Sequence, residues 1–271
     1  MSQDVTQSGS LLNPETDLAA AALLLGRYVE RIDNLIRVSA HAQAAQASPC
    51  WIGAFLDRAA LQAAAQLLAP GDPRYDEAGL RDMLAFARPE ATEIDLRLSI
   101  ASQLRRQGRQ TLTGPTPTLV EAFEPARQER IGARDLRPLE RLSRRTELWG
   151  EVDRRISRHL GWSRVVPLYT LGRPLPTSVE EEGLGAEMAR IANAAVRIER
   201  TARDMQASAE RLSNARSRRA VFADAIGDIM NHDHVAVTRD AGDLRHLFNE
   251  LVEKGALREL SGRPRFRIWG L

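Results

Sequence analysis

The stretch from Leu244 to Trp269 reads LRHLFNELVEKGALRELSGRPRFRIW, and its pattern changes from helical to strand-like halfway along. Leu244, Leu247, Phe248, Leu251 and Val252 recur at intervals of three and four, which draws one apolar stripe along a helix predicted from about Ala241 to Glu253. Asp240 or Thr238 can cap its start, and Gly255 stops it. Two β-prone runs follow, Leu257 to Leu260 and Phe266 to Trp269, on either side of Ser261-Gly262-Arg263-Pro264, which is a hairpin pattern. Upstream, Val221, Phe222, Ile226, Ile229 and Met230 mark one face of a short helix, and Val235-Ala236-Val237 is a brief β-prone segment in the connection.

Helix, short connection, helix, glycine, hairpin is the order of a winged helix, in which the helix before the glycine usually enters the major groove and the hairpin is the wing. The expected fold is mainly α: a helical N-terminal domain plus a C-terminal winged helix-turn-helix with a small β-hairpin wing. Arg258, Arg263, Arg265 and Arg267 concentrate on the hairpin and its tip, with Arg239, Arg245 and Lys254 on or beside the preceding helix. Phosphate contacts come from cations at such positions, so these residues are the predicted DNA-binding set. The plainer reading is surface decoration: Lys254 is the only lysine in an arginine-rich chain, and winged helices often mediate protein contacts. The connection is also short, which predicts a reduced helix-turn-helix, and Asp243, Glu250 and Glu253 repel phosphate unless they turn away from the backbone or read cytosine.

The rest of the chain is punctuated by proline and glycine. Residues 1–12 are polar, without periodicity, and are expected to be disordered. Asn13-Pro14 with Glu15 and Asp17 opens a helix predicted to about His41, whose stripe is Leu18, Ala21, Leu25, Tyr28, Val29, Ile32, Leu35 and Ile36. An apolar, alanine-rich helix follows from Trp51 to Leu68, then helices from Glu77 to Ala87 and from Thr92 to Gln107. Gly108 to Leu136 reads as a loop or hinge in which Thr118 to Phe123 could make one turn. An amphipathic helix is predicted from Pro138 to Leu160, stopped by Gly161, followed by a buried irregular connection through Val165, Val166 and Leu168. A long helix opens at Thr177 or Ser178, and the basic, apolar-poor segment from Arg211 to Arg219 marks a boundary between a helical domain over 13–210 and the winged-helix domain over 211–271.

Composition narrows the function. A chain of 271 residues that is 43% hydrophobic has ample material for a core. Its formal net charge of +2 excludes a general polyanion binder, so nucleic-acid affinity must be local. The longest apolar run, Leu18 to Leu25, is far short of the roughly 20 residues that span a bilayer, so no membrane partner is expected. Cys50 stands alone and no secretory signal pattern is visible, which implies a cytoplasmic protein. His232, His234 and His246 lack a thiolate partner, and the two in the connection read as solvated histidines. Cys50 reads as an inward-packing side chain and Glu180 to Glu182 as first-turn acids. With no Gly-rich phosphate loop and no hydrolase or metalloprotease motif, neither enzyme activity nor a metal or cofactor is expected.

The closing stretch from Leu247 to Leu271 resembles the end of the DUF1403 proteins of α-proteobacteria. Leu160-Gly161-Trp162-Ser163-Arg164-Val165-Val166-Pro167-Leu168 and the Trp51 to Leu68 helix followed by Leu80-Arg81-Asp82 look like that family too, whereas Gly108 to Pro125 departs from it. A related plasmid-borne group with a terminal helix-turn-helix has a similar finish. The resemblance implies a rhizobial or similar source, often a plasmid, and brings no reaction. The expected partner is double-stranded DNA, bound by a homodimer for transcription control or plasmid maintenance. The alternative implied by the family is an adaptor subunit of a segregation or condensin-like complex that docks an ScpB-like or other protein partner.

Overall fold

The computed structural model describes residues 18–44, 51–68, 73–86, 96–128, 138–172, 184–215, 223–232, 234–238, 242–260 and 266–271. The expected disordered terminus, the helix starts at Asn13 and at Thr177 or Ser178, Cys50, and residues 216–219 of the basic boundary stretch lie outside them. The protein is mainly helical with a small antiparallel sheet near the C-terminus. Among the described residues no helix is long and apolar enough to cross a membrane.

Helix α1 (Leu18–Ala44) lies along α9 (Leu184–Ala215). Ala21, Ile32 and Ile36 are buried on the α1 stripe, and Ile191, Ala195, Ile198, Ala202 and Met205 on α9, so each helix spends its apolar face on neighbours in the core. Arg31 of α1 and Arg203 both approach the buried Glu199 carboxylate, at 3.9 and 2.6 Å.

Helix α2 (Ile52–Leu68) occupies the centre. It is apolar nearly all round, and 13 of its 17 residues are buried, as such a helix requires. Around it pack α3 (Glu77–Phe86), α4 (Leu96–Arg109), α8 (Leu168–Gly172), α9 and α10 (Ala223–His232). Small side chains let these neighbours in: Ala54, Ala59, Ala63 and Ala64 are fully buried, and a Cβ on Gly53 would sit 2.6 Å from the Asn231 carbonyl oxygen at the end of α10. The fully buried Asp57 carboxylate accepts from Arg105 Nη2 at 2.7 Å and from Arg109 Nε at 2.9 Å, both on α4. That hydrogen bond, more than the charge of Asp57 itself, holds the Arg109 guanidinium above its ordinary pKa.

The described part of the segment expected to be a loop or hinge, which ends at Gln128, is two short helices and a tethered loop. α5 (Leu119–Ala122) and α6 (Glu124–Gln128) follow it, and Thr118 and Glu121 form a capping box at the start of α5. α7 (Pro138–His159) holds the loop from one side: Arg155 donates to the Glu121 carbonyl at 2.9 Å, Arg158 to that of Pro115 at 3.4 Å, and His159 Nδ1 to that of Pro117 at 2.9 Å. Leu112 N–H donates to the Ser163 carbonyl at 3.0 Å, next to a bridge between Thr111 and Arg164. Proline spacing forbids a long helix there but says nothing about tethers, which come from a helix distant in sequence.

The same helix fixes the buried connection after it. Ser157 Oγ accepts from Val166 N–H at 3.0 Å. The fully buried Asp153 carboxylate accepts from Tyr169 N–H at 2.6 Å, from Thr170 N–H at 3.2 Å and from the Thr170 hydroxyl at 2.5 Å, satisfying the orphan donors at the start of α8. Burial pushes this carboxyl well above the ordinary range, against the opposing effect of the Thr170 donors.

One hydrophobic core runs from α1 to Leu271 and includes Ile226, Met230, Phe248, Leu251 and Trp269. Gly53→Ala is expected to push α10 away from α2 and to lower stability by about 1–3 kcal/mol, read as a lower urea midpoint. For Asp153, a raised folded pKa means that the folded state holds its proton where the unfolded chain has lost it. Its contribution is fully present below the ordinary carboxylate pKa and declines as pH rises toward the raised value. Asp153→Asn is neutral at every pH but turns an amide NH2 group, which cannot accept, toward one of these backbone donors. It is therefore expected to start below wild type at low pH and to gain on it as pH rises above the ordinary carboxylate range, whereas Asp153→Ala loses about 1–3 kcal/mol by stranding the donors. An Asn variant that loses ground as pH rises in urea titrations would contradict the assignment.

Candidate nucleic-acid interface

Five elements close the chain: α10, β1 (His234–Thr238), α11 (Gly242–Glu253), β2 (Arg258–Glu259) and β3 (Phe266–Gly270). The last strand is central, with sheet order β1-β3-β2 and both pairings antiparallel. Val235 stands opposite Trp269 and Val237 opposite Arg267, while Arg258 stands opposite Gly270 and Glu259 opposite Trp269. The β-prone residues between the two helices therefore form a full edge strand rather than only a connection.

Helix α11 is seated by its stripe: Phe248 and Leu251 are buried, and Leu244 and Leu247 pack half-buried against the core. Val252, read as part of that stripe, is 36% exposed, because the buried face is narrower than the run of apolar residues. Gly255 ends the helix at φ +66°, with its N–H donating to the Val252 carbonyl at 2.9 Å and that of Ala256 to Leu251 at 2.8 Å. This pair of bonds is a Schellman ending, and the positive φ explains the glycine. Arg211, near the end of α9, donates to the Gly255 carbonyl at 3.0 Å and ties the turn to the helical part. The Trp269 ring packs 5.5 Å from that of Phe248, which sets the sheet against α11.

Of the predicted DNA-binding residues, Arg239, Arg263 and Arg265 lie outside the described residues. Arg258 is exposed on β2, and among the described residues no carboxylate lies within ion-pair distance of it. Arg267 is two positions from Trp269 on the same face of β3, and its guanidinium lies 5.8 Å from that ring centroid. The register puts Glu259 opposite Trp269, so Arg267 reaches it diagonally across the hairpin at 3.2 Å. Lys254 is 61% exposed and stands 4.0 Å from Glu250, one turn earlier on α11. Arg245 is half-buried, with its Nε enclosed and without a hydrogen-bond partner. The structure thus brings Arg258 and Arg267 onto one hairpin, with Arg245 and Lys254 on or beside the adjacent helix.

One residue not singled out in sequence, Asn249, completes this surface. It is exposed together with His246 and Glu253 at three- and four-residue spacing along α11, complementary to the buried stripe. That complement was readable from helical periodicity alone. His232 is exposed at the end of α10, and among the described residues no cluster of three or more His, Cys, Asp or Glu side chains is arranged to hold a metal ion.

Compared with models of protein families, with curated proteins and with solved structures, the chain matches none.

Gly255→Ala would force an L side chain into the left-handed region, at a cost of about 1–2 kcal/mol. Hydrogen exchange is expected to speed up in α11 and β2 before it does so in α2, because the strain falls at the junction between α11 and the hairpin.

Proposed function

We propose that the C-terminal unit is a reduced winged helix that binds double-stranded DNA without catalysis, in transcription control or plasmid maintenance. The observation that carries this reading is the arrangement itself: α11 ends at Gly255 and leads into an antiparallel hairpin whose last strand pairs back onto β1, beside an exposed α11 face. In this reading α11 faces the major groove and the hairpin is the wing, with Arg258 and Arg267 set on phosphates together with Arg245, Lys254, Arg239, Arg263 and Arg265. Exposed Asn249 and His246 have the donor and acceptor groups needed at base edges. A homodimer supplies paired half-sites, since one small reader buries little surface.

A second reading has its own support. Lys254 and Arg267 each stand beside a carboxylate, and Val252 is exposed on α11. A surface whose cations are locally neutralised suits a protein partner, as in an adaptor of a segregation complex.

Binding of purified protein to random duplex DNA across a salt series separates the two. Under the DNA reading, affinity falls steeply with salt, and Arg258→Ala/Arg267→Ala flattens the log–log slope by about 1 for each phosphate that is no longer neutralised. Glu259→Gln, which releases Arg267, is expected to strengthen binding. Absence of binding at about 50 mM salt sinks the DNA reading and leaves the adaptor.

A further inference from the structure

Away from the C-terminal unit, a surface groove of about 360 Å³ opens where α2, α8 and α9 meet. Its floor is apolar, with Ala65 and Leu171, and its walls carry Gln62, Gln66, Arg197, Arg200 and Thr201. The size falls within the range that takes a small organic molecule.

Arg197 is held in place. Its guanidinium donates to Gln66 Oε1 at 2.8 Å and to the Leu171 carbonyl at the end of α8 at 2.7 Å. Both acceptors are neutral, and among the described residues no carboxylate lies within ion-pair distance of this cation. Burial lowers its pKa with no neighbouring acid to raise it again. Several other positioned arginines are neutralised, Arg105 and Arg109 by Asp57, Arg203 by Glu199 and Arg155 by Glu151, while Arg158, Arg164 and Arg211 tie backbone carbonyls and do not line this groove. Arg200 lies three residues further along α9, exposed, also without an acidic partner among the described residues. On the opposite wall, Glu77 is engaged at 2.5 Å by Arg81. Gln62 and Thr201 bond to each other across the groove at 3.3 Å, and each keeps capacity for a further hydrogen bond.

We infer that this groove binds a small organic oxyanion, a carboxylate or a phosphate monoester, whose charged end meets Arg197 and Arg200 and whose body rests on Ala65 and Leu171. A guanidinium pre-positioned by its other hydrogen bonds loses little side-chain freedom on receiving an oxyanion, and its planar fork fits two oxygens at once. Thr201 and Gln62 supply neutral donors beside that charge. This site is independent of the DNA reading, which rests on other residues.

The test is calorimetric titration at constant ionic strength, with inorganic phosphate and benzoate as probes and chloride as the reference salt. Wild type is expected to bind at least one probe saturably. Arg200→Gln, which removes no bond within the described fold, is expected to weaken it about tenfold or more. Arg197→Gln is expected to abolish it, with far-UV circular dichroism checking the fold. Phosphate binding with no benzoate binding assigns the groove to phosphate esters; the reverse assigns it to carboxylates. Failure of both probes to bind at tens of millimolar, or binding unchanged in Arg200→Gln and Thr201→Val, overturns the inference.

Discussion

A helix buried around nearly its whole circumference has little solvent side to choose, so its neighbours must be fitted to it at once. α2 sets this constraint. Its alanines and Gly53 allow α10 to approach to backbone distance, and its apolar side chains meet α3, α4, α8 and α9 in one core. The same helix carries Asp57, an ion buried where no water reaches it. An unpaired charge there would be prohibitive, and α4 meets the need with Arg105 and Arg109. The placement of α4 is thus dictated twice, by apolar burial and by charge.

A second set of constraints issues from α7. One part of its surface is buried and polar, and spends Asp153 and Ser157 on backbone donors of the connection that follows. Another part is basic, and spends Arg158 and His159 on carbonyls of the loop before α5 and Arg155 on one within α5. Irregular segments that carry free backbone groups are thereby held without regular structure, as buried or partly buried backbone demands. A run of arginines and acids that looks like a solvated face is in good part internal wiring.

The distribution of paired and unpaired cations separates candidate sites from scaffolding. Among the described residues, Arg267 and Lys254 have carboxylates nearby, Arg258 has none within ion-pair distance, and Arg197 and Arg200 line a groove whose one acid, Glu77, is engaged by Arg81. α2 and α9, which line that groove, also support the C-terminal unit, through Gly53 against Asn231 and through Arg211 on Gly255. Both proposed binding surfaces therefore rest on the same two helices.

Although the pairing that makes β1 a strand of the sheet needed the fold, local sequence pattern dictates the helical character, the position of most helices, and the helix, connection, helix and hairpin order of the C-terminal end. These follow from local periodicity, from proline and from glycine at positions such as Gly255, where the backbone conformation is set within a few residues. The cations of the candidate interface were legible one by one because charge is visible in sequence. Their state was not: pairing of Arg267 with Glu259 depends on strand register, and exposure of His246 and Asn249 depends on which face α11 buries. The tethering of the loop before α5, the docking of α10 on α2 and the groove at Arg197 came only from tertiary structure. Each joins residues far apart in sequence, 131 positions in the case of Gln66 and Arg197, and no local pattern encodes a contact made by chain folding at that distance.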